Sequence, residues 1–156
     1  MSLKCYLFLL LILMGFTAKS QILLNADSSQ IRKEMSSRRG ALHTSTTEKD
    51  IETKGYYCKM VFWFPLPMEG NSCLMNMTFY LTLNNKCFKY DETYWGRDLA
   101  DQRIDEFTQP LYGMKRVTGS LKWVNAVTGF EASLIPKRMD DNKFASEYIL
   151  EFKQLP

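Results

Sequence analysis

Residues 73–83 alternate without a break: Cys73, Met75, Met77, Phe79, Leu81 and Leu83 share one face, and Leu74, Asn76, Thr78, Tyr80 and Thr82 the other. A period of two over this length describes an antiparallel strand with one face on a core and the other toward water. Such a strand needs hydrogen-bonding partners on both sides, and the surrounding sequence supplies candidates. Residues 56–64 form a nearly continuous apolar and aromatic run, expected to be covered on both faces and ended by Pro65 and Pro67, which cannot donate to a ladder. Asn84-Asn85 offers a tight turn into a short strand over residues 86–90. Residues 121–127 and 130–135 flank Thr128-Gly129, a hairpin turn with glycine at the left-handed position. A polar turn at residues 140–143 precedes a last strand carrying Phe144, Tyr148, Leu150 and Phe152.

The interruption at residues 91–110 is polar, and its middle, residues 97–107, is the best helix candidate, with Leu99, Ile104 and Phe107 on one imperfect stripe. The expected fold is therefore mainly β: a small antiparallel β-sandwich, or one curved sheet, with one short helix. No internal repeat is visible in the sequence.

Upstream the chain changes character twice. Residues 1–20 pair a basic start, Lys4, with an apolar run over residues 6–16 and small residues at Ala18 and Ser20, the pattern of a secretory signal peptide. Eleven apolar residues are too few for a membrane span, which needs about 20. Residues 21–55 are rich in Ser, Thr, Lys, Arg and Glu and poor in aromatics, so they are expected to form a flexible polar arm. A short helix near residues 28–35, capped by Asp27 or Ser28, is the one structure foreseen inside it. The β-rich secreted domain then occupies residues 56–156.

Charge and cysteine usage narrow the partners. The formal charge of +3 includes Lys4 and Lys19 of the leader, so the processed chain carries +1. That balance removes the case for nucleic acid, which requires a clustered basic face. Three cysteines remain after the leader, Cys58, Cys73 and Cys87. In an oxidising compartment they suggest one intramolecular bridge and one leftover thiol able to link two copies of the chain. Their spacing lacks the close pairs of a zinc knuckle, so no metal and no cofactor is expected.

Individual motifs point to modification and binding more than to catalysis. Asn76-Met77-Thr78 is an N-glycosylation sequon whose asparagine falls on the polar face of its strand. Arg38-Arg39 is a paired basic site on which a precursor would be cut if the arm presents extended backbone. Asp98, Asp101 and Asp105 share one face of the expected helix beside Glu106, but Arg97 and Arg103 are near enough to neutralise a solvated surface. The single histidine, His43, lies in the arm, so a histidine-assisted nucleophile has no base within the domain. These features lead to a secreted, extracellular, non-catalytic glycoprotein that binds a protein partner or receptor, with Tyr94 and Trp95 as candidate contacts. The alternatives are a carrier of a small apolar ligand between sheets lined by Met75, Met77 and Phe79, and a precursor processed at Arg38-Arg39.

Overall fold

The computed structural model describes residues 22–50, 55–65, 73–139 and 145–155. Helix α1 (Ser28–Ser37) leads into β1 (Ala41–Lys49), β2 (Tyr56–Trp63), β3 (Cys73–Leu81) and β4 (Cys87–Trp95). Helix α2 (Asp98–Phe107) and a 3₁₀ turn (Pro110–Tyr112) then precede β5 (Lys115–Arg116), β6 (Lys122–Asn125), β7 (Phe130–Met139) and β8 (Ala145–Gln154). Among the described residues all eight strands join one antiparallel sheet in the order β1-β2-β3-β4-β8-β7-β6-β5. The fold is thus mainly β, as the alternation implies, and it takes the single-sheet form, with two α-helices where the sequence places its two helix candidates. The order is symmetric about its centre. Each half is a helix followed by four strands, and the two last strands, β4 and β8, pair with each other.

Residues 22–50 correct the expectation of a flexible arm. Asp27 caps α1: its carboxylate accepts from the Ser29 and Gln30 amides at 2.9 Å each, and the Gln30 side chain accepts from the Asp27 amide at 2.9 Å. This reciprocal capping box satisfies donors that the first helical turn leaves unpaired. Few apolar residues occur in the segment, yet four of them enter the core: Leu23, Leu24, Ile31 and Met35 are all buried. Ile31 and Met35 lie one turn apart, and burying each contributes about 1.5–3 kcal/mol. The chain before the helix runs beside β4, with Asn25 donating to the Cys87 carbonyl and Cys87 donating to that of Ala26.

Strand β1 escaped notice for a different reason. As an edge strand it is exposed at eight of nine positions, so it has no apolar alternation to read. Its β-branched Thr44, Thr46 and Thr47 suit a pleated backbone, and its ladder to β2 holds it in place. Charged Glu48 and Lys49 at its end blunt the open edge.

Both helices cover the same sheet face. Met60, Phe62, Met77, Phe79, Leu81, Tyr90, Leu150 and Phe152 project from it, all at most 3% exposed. Phe79, Tyr90 and Phe152 stack in sequence across three strands, and Phe107 of α2 meets Phe152 edge-on. Helix α2 also sends Arg103 into this core. Its Nε lies 3.1 and 3.2 Å from the two carboxylate oxygens of Glu92 on β4, and Nη1 lies 3.1 Å from Glu106. The Tyr94 hydroxyl donates to Glu92 at 2.7 Å. Arg103 is 4% exposed and Glu92 1%, so the pair tolerates burial only because each charge is compensated.

Candidate functional site

With both helices on one side, the other face of the sheet is left open to solvent. The register carries onto it Tyr57, Lys59, Val61 and Trp63 of β2, Asn76, Thr78 and Tyr80 of β3, and Lys89, Asp91, Thr93 and Trp95 of β4. Beyond the centre, β8, β7 and β6 add Glu151, Lys153, Glu131 and Lys122. Opposite charges alternate across these strands. Lys89 pairs with Glu151, Lys153 reaches Glu131 at 3.1 Å and Glu151 at 3.8 Å, and Lys122 reaches Glu131 at 3.5 Å. Such a face carries no single-sign field, so it offers little to a polyanion.

Aromatic side chains occupy both ends of this face. At one end Tyr57, Tyr80 and Phe88 form a triangle with ring centroids 5.7–6.4 Å apart. Lys89 lies over the Tyr80 ring at 5.1 Å, a cation–π contact. The Tyr80 hydroxyl donates to Asp91 at 3.1 Å, and the Tyr57 hydroxyl donates to Glu48 at 2.9 Å. Burial holds the Asp91 carboxyl above its ordinary value, against the pull of Lys89 and Tyr80. At the other end Trp63, 53% exposed, lies directly across from Asn76, and Trp95, 39% exposed, lies across from Cys73.

The residues singled out in the sequence scatter across this geometry. Asn76 does face the open side, as the alternation requires, while Met77 is buried beneath the helices. Tyr94 is not a surface contact: β4 continues through Trp95, and period two turns Tyr94 inward to the Glu92 carboxylate at 5% exposure. Trp95, its neighbour, keeps the surface position. His43 belongs to β1, where its ring stacks on Trp63 at 3.8 Å and 14°. Arg38 and Arg39 close α1. Arg38 is ion-paired to Glu34 at 2.8 Å and Arg39 takes a left-handed φ of 62°, so they do not present the extended backbone that the alternative of processing at this pair requires. The aspartates of α2 are partly neutralised, with Arg97 on Asp101 at 3.0 Å. Among the described residues no trio of His, Cys, Asp or Glu could hold a metal ion, and no helix is long and apolar enough to cross a membrane.

The cysteines overturn the expected bridge. Cys58, Cys73 and Cys87 are all free. Cys58 and Cys87 flank Leu81 from opposite neighbouring strands, two strand spacings or about 10 Å apart, beyond the reach of a disulfide. Cys73 lies at the far end of β3. Burial pushes the Cys87 thiol up to about 12, while Cys58 is only half-buried, with Ser45 Oγ 3.9 Å from its sulfur. The cysteines therefore offer no support for an oxidising compartment. The gap between two sheets, where an apolar ligand was expected, is not formed either. One sheet is present, and Met77 and Phe79 are packed against the helices at 1% and 0% exposure.

The Tyr57–Tyr80–Phe88 triangle was not singled out in the sequence. Its signal was present for Tyr57 and Tyr80, which fall on the outward phase of their strands, but Phe88 is in phase with buried Tyr90, and only the register shift opposite Tyr80 and Leu81 brings it to them. No protein-family model, curated protein or solved structure matches the chain.

Proposed function

We propose that this protein is a secreted, glycosylated, non-catalytic binding factor that uses the open sheet face to engage an extracellular protein. The observation that carries the reading is the aromatic triangle Tyr57–Tyr80–Phe88 set beside alternating ion pairs on a face no helix covers. Partly exposed aromatics held rigid by neighbours, within a rim of paired charges, are the anchors from which protein interfaces are built. The mixed charge disfavours a polyanion, and the basic-apolar pattern of residues 1–20 supports export. Cys58 is the reachable thiol of the three described, so a disulfide-linked dimer would run through it.

Two measurements test the reading. N-terminal sequencing of protein from the medium of secretory cells should begin at Gln21; retention in the cytosol with Met1 in place defeats it. Binding of the purified secreted protein to surfaces of the same cells should fall about 30-fold for Phe88→Ala, the loss typical of a central anchor. Equal binding by Phe88→Ala and the unaltered protein removes the triangle from the interface.

A further inference from the structure

The end of the open face away from the triangle brings together an exposed indole, a sequon and a shallow apolar pocket. Trp63 and Asn76 are direct cross-strand partners on adjacent strands. Side chains so placed have Cβ atoms about 5 Å apart and lie side by side on one face. Asn76 heads the sequon Asn76-Met77-Thr78. Between them the surface dips into a shallow pocket of about 250 Å³ lined by Trp63, Phe64, Met75 and Asn76. One side of the Trp63 indole is already occupied by the stacked ring of His43, which holds it in a fixed orientation. Even so, Trp63 remains 53% exposed, a large apolar surface.

We propose that this apolar depression is the seat of the chain's own glycan: the first N-acetylglucosamine attached to Asn76 lies across it and packs its C–H face against the Trp63 indole. The inference rests on the export reading above, since only a chain in the secretory route meets the transferase that uses the sequon. The physical basis is the match between the polarised C–H bonds of a pyranose face and the negative face of an aromatic ring. It is joined by removal of the exposed indole and the Met75 side chain from water. The linkage from Asn76 starts one strand away from the ring, so the sugar loses little freedom on docking. His43 stiffens the indole and lowers that cost further. The sugar then covers the surface that would otherwise be the most exposed aromatic site at this end. It leaves the Tyr57–Tyr80–Phe88 end free for a protein partner.

The test uses full-length protein secreted from glycosylating cells, in two enzymatic forms. One is trimmed by an endoglycosidase that leaves a single N-acetylglucosamine; the other is stripped by an amidase that leaves aspartate at position 76. Thermal melting should place the single-sugar form about 3–5 °C above the stripped form. In Trp63→Ala that difference should shrink to near zero, the coupling expected of two groups in contact. Nuclear Overhauser contacts between sugar ring protons and the Trp63 indole provide a second readout that needs no variant. Secreted protein with no glycan on Asn76 defeats the glycosylation reading itself. A glycan that is present, but whose removal shifts Trp63→Ala as much as the unaltered protein, or that shows no indole contact, defeats the seat alone.

Discussion

The two halves of the sheet solve the same problem with different chemistry. In each, a ten-residue helix must be held against four strands. The first half does it with apolar side chains: Ile31 and Met35 of α1 are wholly buried in the core. The second half's helix α2 places Arg103 in the core, where it is answered by Glu92 and Tyr94 of β4, the last strand of the first half. Apolar plugging is tolerant, because shape and volume are all it requires. A buried ion pair is intolerant, because losing one partner strands the other charge where water cannot reach it. The halves should therefore respond differently to mutation.

The sharpest break in that comparison is Arg103→Leu. It leaves Glu92 buried and uncompensated and should cost about 3–5 kcal/mol in urea unfolding. The double variant Glu92→Leu with Arg103→Leu should regain most of the loss, which a merely steric role for Arg103 would not allow. Next in size, Met35→Ala should cost about 3 kcal/mol, the usual range for a core truncation being about 2–5 kcal/mol. An undocked arm would show no change at all, so this variant also decides whether residues 22–50 belong to the cooperative unit. Smaller again is the effect of reactive thiols. A disulfide reagent should titrate Cys58 in the native protein and reach Cys73 and Cys87 only on unfolding, because burial keeps the Cys87 thiol protonated and inaccessible. Rapid labelling of all three would show that the first half opens easily.

The smallest effect expected is a pH-dependent one at the cap of α1. The Ser29 side chain and the Gln30 amide hold the Asp27 carboxyl below its ordinary value of 3.8. A carboxyl lowered on folding stabilises the native state above its unfolded value, and that contribution fades as pH falls through the folded value. Asp27→Ala should thus lower the melting temperature slightly at pH 7 and make no difference at pH values well below 3.8. A gap that persists in strong acid would assign the cap's effect to something other than its charge.

Much of the sheet was legible because its strands obey a period of two. The phase of β3 identified the buried Met77 and Phe79 and the outward Asn76. The hairpin turn at Gly129, with φ 68°, was readable from the glycine itself. Boundaries failed where aromatic residues were taken for a loop. Residues 91–95 look polar because Asp91 and Glu92 occur there, yet β4 runs on through Trp95. Their charges are satisfied by Lys89 and Arg103, partners that no local pattern reveals. Residues 22–50 were obscured for the converse reason: four of their few apolar residues carry the docking, while edge strand β1 is exposed and shows no alternation.

What the sequence determined alone were properties of single segments: the face of β3, the cap of α1, the turns, the sequon and the leader pattern. These follow from backbone preference and periodicity, which act over a few residues. What only the tertiary structure decided was company. Pairing β4 with β8 joins two helix-and-strand halves into one sheet, the β2–β3 register puts Trp63 beside Asn76, the β2–β3–β4 ladders separate the three cysteines, and packing of α2 on β4 gives Arg103 its buried carboxylate. Those outcomes depend on register between strands and on helix docking, which no single segment specifies. Register is set by which arrangement best buries apolar surface and satisfies polar groups together, a property of the whole fold.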